Sequence, residues 1–204
     1  MAALGTEKQI ERRVKSKHRG SLMFPEDFST YGSSEAVRKA LERLEDKNVL
    51  VRVAQGIYVR PKESPLIGAV IPTAEEVAEA IAKRDKIRTV PSGSYALNAL
   101  GLSTQIPMKI VLLTDGSPRE IKVGRRTIKF KKVSPKNLLA KGKVSRLVIQ
   151  ALKELGKENI SEQEEKMILK MLHTEDTASL KHDIALAPVW IQKIMSKALH
   201  DVEK

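Results

Sequence analysis

The stretch Phe24–Pro61, FPEDFSTYGSSEAVRKALERLEDKNVLVRVAQGIYVRP, decides the fold. Pro25 suits the first position of a short helix, where its missing N–H is not needed. Tyr31-Gly32-Ser33 breaks that run, and Ser33 or Ser34 caps the next helix by accepting a bond from a free backbone N–H. In this second helix Val37, Leu41 and Leu44 fall at i, i+4 and i+7, with Ala40 beside them, so one stripe packs inward. Ser34, Glu35, Arg38, Lys39, Glu42 and Arg43 occupy the other faces, and Asn48 is the helix stop. Val49–Val53 and Ile57–Val59 are β-rich, and Ala54-Gln55-Gly56 between them supplies a hairpin turn.

Helix, turn, helix and ribbon together make a winged helix-turn-helix, whose second helix enters the major groove while the ribbon touches the backbone. The basic footprint puts Ser33, Ser34, Arg38, Lys39 and Arg43 of that helix, with Arg52, Gln55 and Arg60 of the wing, on double-stranded DNA. A winged helix that contacts only protein is the alternative for the same pattern.

Upstream, Thr6 caps a first helix to about Lys17, with Ile10 and Val14 facing the core and Arg12, Arg13, Lys15 and Lys17 outward. Ser21–Phe24 is a short strand that pairs with the wing. Residues 1–62 form the first domain, with 13 Lys and Arg against 8 Asp and Glu. Pro61, Pro65 and Pro72 punctuate the next segment, so residues 63–72 are an extended linker. Residues 73–204 form a mixed α/β domain with a helical C-terminal tail, and the fold class is α+β. Its elements are a helix capped by Thr73, a strand at Ile87–Val90, a helix at Gly93–Leu100 and a central strand KIVLLT from Lys109. Arg119–Val123 and Thr127–Phe130 then pair as a hairpin. Three helices complete the chain: Val144–Leu155, Ser161–Leu172 and one after Pro188 with Ile191, Ile194, Met195, Ala198 and Val202 on one stripe.

Composition narrows the function classes. A formal net charge of +12 points to a polyanion, nucleic acid first and an anionic membrane surface second. Aromatics are 3% of residues, too few for a base-stacking platform. The chain has no cysteine, which excludes disulfides and thiolate metal sites and fits a reducing cytoplasm. MAALGTEKQIERRVK lacks the apolar core of a signal peptide, and the uncharged run Thr89–Met108 holds two prolines and two glycines, so no membrane span is expected.

A second basic segment runs from Arg119 to Arg146, with 11 Lys and Arg and one acid, Glu120. Lys122, Arg125, Arg126, Lys129 and Lys131 form its patch, a surface for DNA or RNA, a site for an acidic partner, or a solvated face. Asp115 with Glu120-Ile121-Lys122 loosely matches the acid, acid-x-lysine pattern of metal-dependent nucleases, and surface alternation explains it equally well. His18, His173, His182 and His200 are scattered without metal-ligand spacing. Ser92-Gly93-Ser94 is no nucleophile elbow, and there is no phosphate-cradling glycine loop. No enzyme activity, metal or cofactor is expected.

The chain resembles the AbiEi-type antitoxins of type IV (abortive infection) toxin–antitoxin systems. The resemblance lies in RGSLMFPEDF (Arg19–Phe28), KALERLEDKNVLVRVAQGIYVRP (Lys39–Pro61) and PSGSYALNALGLSTQIPMKIVLLTDG (Pro91–Gly116) with the hairpin after it. It covers most of Arg19 to Pro135, and Gly93, Leu100-Gly101-Leu102 and Leu113-Thr114-Asp115-Gly116 are its more specific part. The resemblance implies a cytoplasmic, sequence-specific transcriptional autorepressor that binds inverted repeats upstream of its own operon. It also implies an antitoxin that neutralises a nucleotidyltransferase-like toxin, generally without a tight complex.

Overall fold

The computed structural model describes residues 5–66 and 68–200, so Val202 of the expected final stripe lies outside the described residues. The protein is mixed α+β, with eight α-helices and three small sheets among the described residues. Two compact units result, one running to Ile81 and including Ile121–Arg125, the other comprising Ala82–Glu120 and the chain from Arg126.

The first unit opens with α1 (Thr6–Ser16), which buries Ile10 and Val14. Gly5 is the N-cap, and the Thr6 hydroxyl does not cap the helix; it donates instead to the Tyr31 carbonyl at 3.0 Å. β1 (Leu22–Met23) leads into a 3₁₀ segment, Pro25–Tyr31, started by proline and buried through Phe28. α2 (Ser34–Asp46) follows, its N-cap Ser33 accepting from Ala36 N at 3.3 Å. Asn48 adopts the left-handed conformation (φ 57°) that turns the chain off the helix.

β2 (Val51–Ala54) and β3 (Ile57–Val59) meet through Gln55-Gly56, where Ala54 pairs with Ile57 and Gly56 has φ 67°. The sheet order is β1-β3-β2, antiparallel throughout. α1, α2 and the 3₁₀ segment close over this sheet around Ile10, Val14, Met23, Phe28, Val37, Leu41, Leu44 and Leu50, all at most 1% exposed. Each large apolar side chain so buried contributes about 1.5–3 kcal/mol. The segment expected to be an extended linker carries a small hairpin, β4 (Lys62–Ser64) with β5 (Gly68–Val70). α3 (Ala74–Asp85) follows, with Thr73 and Glu76 in a reciprocal capping pair at 2.7 and 3.2 Å.

The remaining strands and the short helix between them are β6 (Thr89–Ser92), α4 (Ser94–Ala99), β7 (Lys109–Thr114), β8 (Arg119–Val123) and β9 (Arg126–Lys132). The sheet order is β6-β7-β9-β8, with β6 antiparallel and β9 parallel to β7. KIVLLT is therefore a central strand, and Pro91 is tolerated because β6 is an edge. The helical part comprises α5 (Lys143–Leu155), α6 (Glu162–Leu172), α7 (Thr177–Leu186) and α8 (Val189–His200). Val148, Leu152, Ile168, Leu172, Ile191 and Met195, each fully buried, form its core. Among the described residues no helix is long and apolar enough to cross a membrane.

Candidate nucleic-acid interface

α2 exposes the positions that its sequence leaves over once Val37, Ala40, Leu41 and Leu44 are buried. Ser34, Arg38 and Lys39 are exposed on it, and Arg52 and Gln55 are exposed on the β2–β3 ribbon. Arg38 pairs with Glu42 at 3.9 Å and Lys39 with Glu35 at 2.8 Å, both one helical turn apart and solvated. Exposed pairs of this kind contribute at most about 1 kcal/mol and leave the cations available to a stronger anion. The Arg52 guanidinium lies 6.0 Å from the centre of the Tyr58 ring, at the outer limit of a cation–π contact. Burial pushes the Tyr58 hydroxyl pKa up, and the nearby Arg52 charge opposes that.

Three of the eight expected positions carry structural bonds as well. Ser33 is the cap of α2. Arg43 Nε donates to Glu7 Oε2 at 2.5 Å, and Lys47 Nζ to Glu7 Oε1 at 2.5 Å, tying α2 to α1. Lys47 first and Arg43 second hold the Glu7 carboxyl below the usual range. The sequence reading missed Glu7 and Lys47, because Glu7 and Arg43 are 36 positions apart and only the packing of α1 on α2 joins them.

Arg60 is half-buried, and its Nη1 donates to the carbonyls of Lys15 and Lys17 at 2.6 and 2.9 Å. These are carbonyls at the C-terminal end of α1, which a cation stabilises. Arg60→Ala is therefore expected to lower stability by about 1–2 kcal/mol. Urea denaturation checks this, and an unchanged midpoint would show that solvent replaces both bonds at no cost.

The second patch is not one free cationic face. Lys122, Arg125 and Lys131 are exposed, but Arg126 is half-buried and its Nε donates to the Pro107 carbonyl at 3.2 Å. Lys129 sits 3.0 Å from Glu120, which also takes Lys109 at 3.2 Å. Hydrogen bonds from Lys129 and then Lys109 depress the Glu120 pKa. Asp115 is held by Arg88, through its side chain at 2.8 Å and its backbone N–H at 2.9 Å, with the same lowering effect. Both carboxylates of the nuclease-like pattern are thus engaged by cations of the protein.

A buried carboxylate cluster went unread in the sequence. Asp183 is fully buried and accepts from Lys141 N and Gly142 N at 2.8 Å, Ser145 Oγ at 2.5 Å and His182 Nδ1 at 2.8 Å. Glu175 Oε2 accepts from Val144 N at 2.6 Å and Ser145 N at 3.0 Å. The N-cap of α5 is Gly142, which has no side-chain acceptor, so the free N–H groups of that helix need acceptors from elsewhere. A Cβ at Gly142 would collide with Ser145 Oγ and the Glu175 carboxylate.

No curated protein matches the chain. Among solved structures, the RV2827C protein from Mycobacterium tuberculosis is similar at a TM-score of 0.44 and 12% identity, over 94% of this chain and 81% of that one. That likeness is too distant to carry an argument. A family model described as a family of unknown function, DUF6088, matches residues 9–180, and the chain belongs to that family.

Proposed function

We propose that the N-terminal unit is a winged helix-turn-helix that binds double-stranded DNA, and that the protein acts by binding rather than catalysis. One observation carries this reading. Among the described residues Arg38 and Lys39 form solvated one-turn ion pairs and Arg52 a long ring contact, and these residues lie on the helix and ribbon that such a fold offers to DNA. Ser34 and Gln55 add uncharged hydrogen-bonding groups on the same two elements. The net charge of +12 supports a polyanion as partner.

The resemblance to AbiEi-type antitoxins extends the proposal. On it, the DNA is an operator with inverted repeats upstream of the protein's own operon, and the protein is a cytoplasmic autorepressor. It would also be the antitoxin to a nucleotidyltransferase-like toxin, acting without a stable complex. The salt dependence of DNA binding is the first test. Each phosphate neutralised gives a slope of about −0.9 in log K against log[salt], so six contacts give about −5. Fluorescence anisotropy with duplexes from the upstream region, at several salt concentrations, measures it. A slope near zero would overturn the DNA reading.

A further inference from the structure

The second unit holds a small pocket outside the surfaces described above. One face of α5 forms its floor, with Arg146, Gln150 and Lys153 following at i, i+4 and i+7. Lys136 and Asn137, from the 3₁₀ turn Pro135–Leu138, form a wall. Three cations and two carboxamides line this pocket, and no carboxylate does.

Two of these residues are in an unfavourable state by themselves. Arg146 Nε is buried and has no acceptor among the described residues. A buried donor left without an acceptor costs the desolvation of that group, and such cases are rare in native proteins. Lys153 is exposed overall, yet desolvation of its ammonium lowers its pKa. Elsewhere in the protein cations meet carboxylates, as Arg43 and Lys47 meet Glu7 and Lys109 and Lys129 meet Glu120. Here three cations share a pocket with no carboxylate among its described lining residues.

An oxyanion resolves all of these at once. A guanidinium fork matches phosphate geometry, lysine supplies a point charge, and carboxamide N–H groups complete the donor set. We propose that this pocket binds a single phosphate group carried by a small molecule. The enclosed part of the pocket is about 20 Å³, room for one phosphate oxygen, so the group enters end-on and the rest of its carrier stays in solvent. Free inorganic phosphate and a nucleoside monophosphate offer the same chemistry. The proposal does not rest on the DNA reading, because none of its residues belongs to α2 or the ribbon.

The test is calorimetric titration of the full-length protein with sodium phosphate, a nucleoside monophosphate and the parent nucleoside, each at constant ionic strength in chloride. Saturable binding of phosphate or of the monophosphate is expected, weakened at least tenfold in Lys153→Gln and in Arg146→Gln. Tighter binding of the monophosphate than of phosphate, with no binding of the nucleoside, identifies a nucleotide as the source; equal affinities identify free phosphate. Arg38→Ala should leave this binding unchanged, which separates the pocket from the DNA surface. Lys153 is exposed, so its variant is expected to fold even if Arg146→Gln does not, and circular dichroism confirms it. No saturable binding, or binding unchanged in folded Lys153→Gln, would overturn the proposal.

Discussion

Asp183→Ala is expected to cost about 3–5 kcal/mol of stability, a large share of what holds an ordinary domain together. Asp183 is fully buried, and its removal strands the N–H groups of Lys141 and Gly142 and the Ser145 hydroxyl. Gly142 and Ser145 are themselves buried, so water does not readily replace the lost acceptor. Asp183→Asn keeps the volume but turns one acceptor into a donor facing other donors, and is expected to cost a comparable amount. Urea denaturation followed by circular dichroism measures both; a loss below about 1 kcal/mol for Asp183→Ala would show that solvent reaches this cluster.

The same residue sets an acid sensitivity. Burial alone would raise the Asp183 pKa, but the donors Ser145, His182, Lys141 and Gly142 outweigh it and the carboxyl sits below its ordinary value. A group whose folded pKa is depressed contributes stability above its unfolded pKa, and loses it as pH falls through the folded value. The contribution is therefore present above about pH 4 and disappears below it. The difference in unfolding free energy between the parent and Asp183→Asn should shrink on going from pH 6 into that range. A constant difference would assign the acid sensitivity to other carboxylates.

α7 shows why part of this was illegible in the sequence. Its buried positions are Leu180, Asp183 and Ile184, so a charged residue stands where an apolar stripe would be expected. The periodicity that reveals α2, with Val37, Leu41 and Leu44 all apolar, fails in such a helix. Local signals fared well: Pro25, Ser33, Asn48 and the Thr73 cap each act where their chemistry puts them. Long-range bonds did not show in one dimension. Arg60 looks like any wing cation until the end of α1 is placed beside it, and Arg126 until Pro107 is. Charge counting finds where cations concentrate and says nothing of which are already paired.

On the proposed DNA reading, that distinction separates Arg38 from Arg43. Among the described residues Arg38 has a solvated partner at 3.9 Å, whereas Arg43 shares Glu7 with Lys47 at 2.5 Å. Arg38 is therefore the better placed of the two for a base contact. An arginine making a bidentate guanine contact contributes about 1–3 kcal/mol of discrimination, roughly 5-fold to 150-fold in affinity ratio. Arg38→Ala is expected to bring operator and scrambled duplex closer by that amount, with the salt slope reduced by at most about one contact. Arg52, on the ribbon, is expected to meet phosphate, so Arg52→Ala should weaken both duplexes alike and flatten the slope by about 0.9. The two variants thus separate readout from positioning within one set of anisotropy titrations. If Arg38→Ala retained the parent's preference while Arg52→Ala lost it, the ribbon and not α2 would be the reading element. If neither changed binding, the exposed faces of α2 and the ribbon would be solvated surfaces, and the DNA would be held elsewhere on the protein.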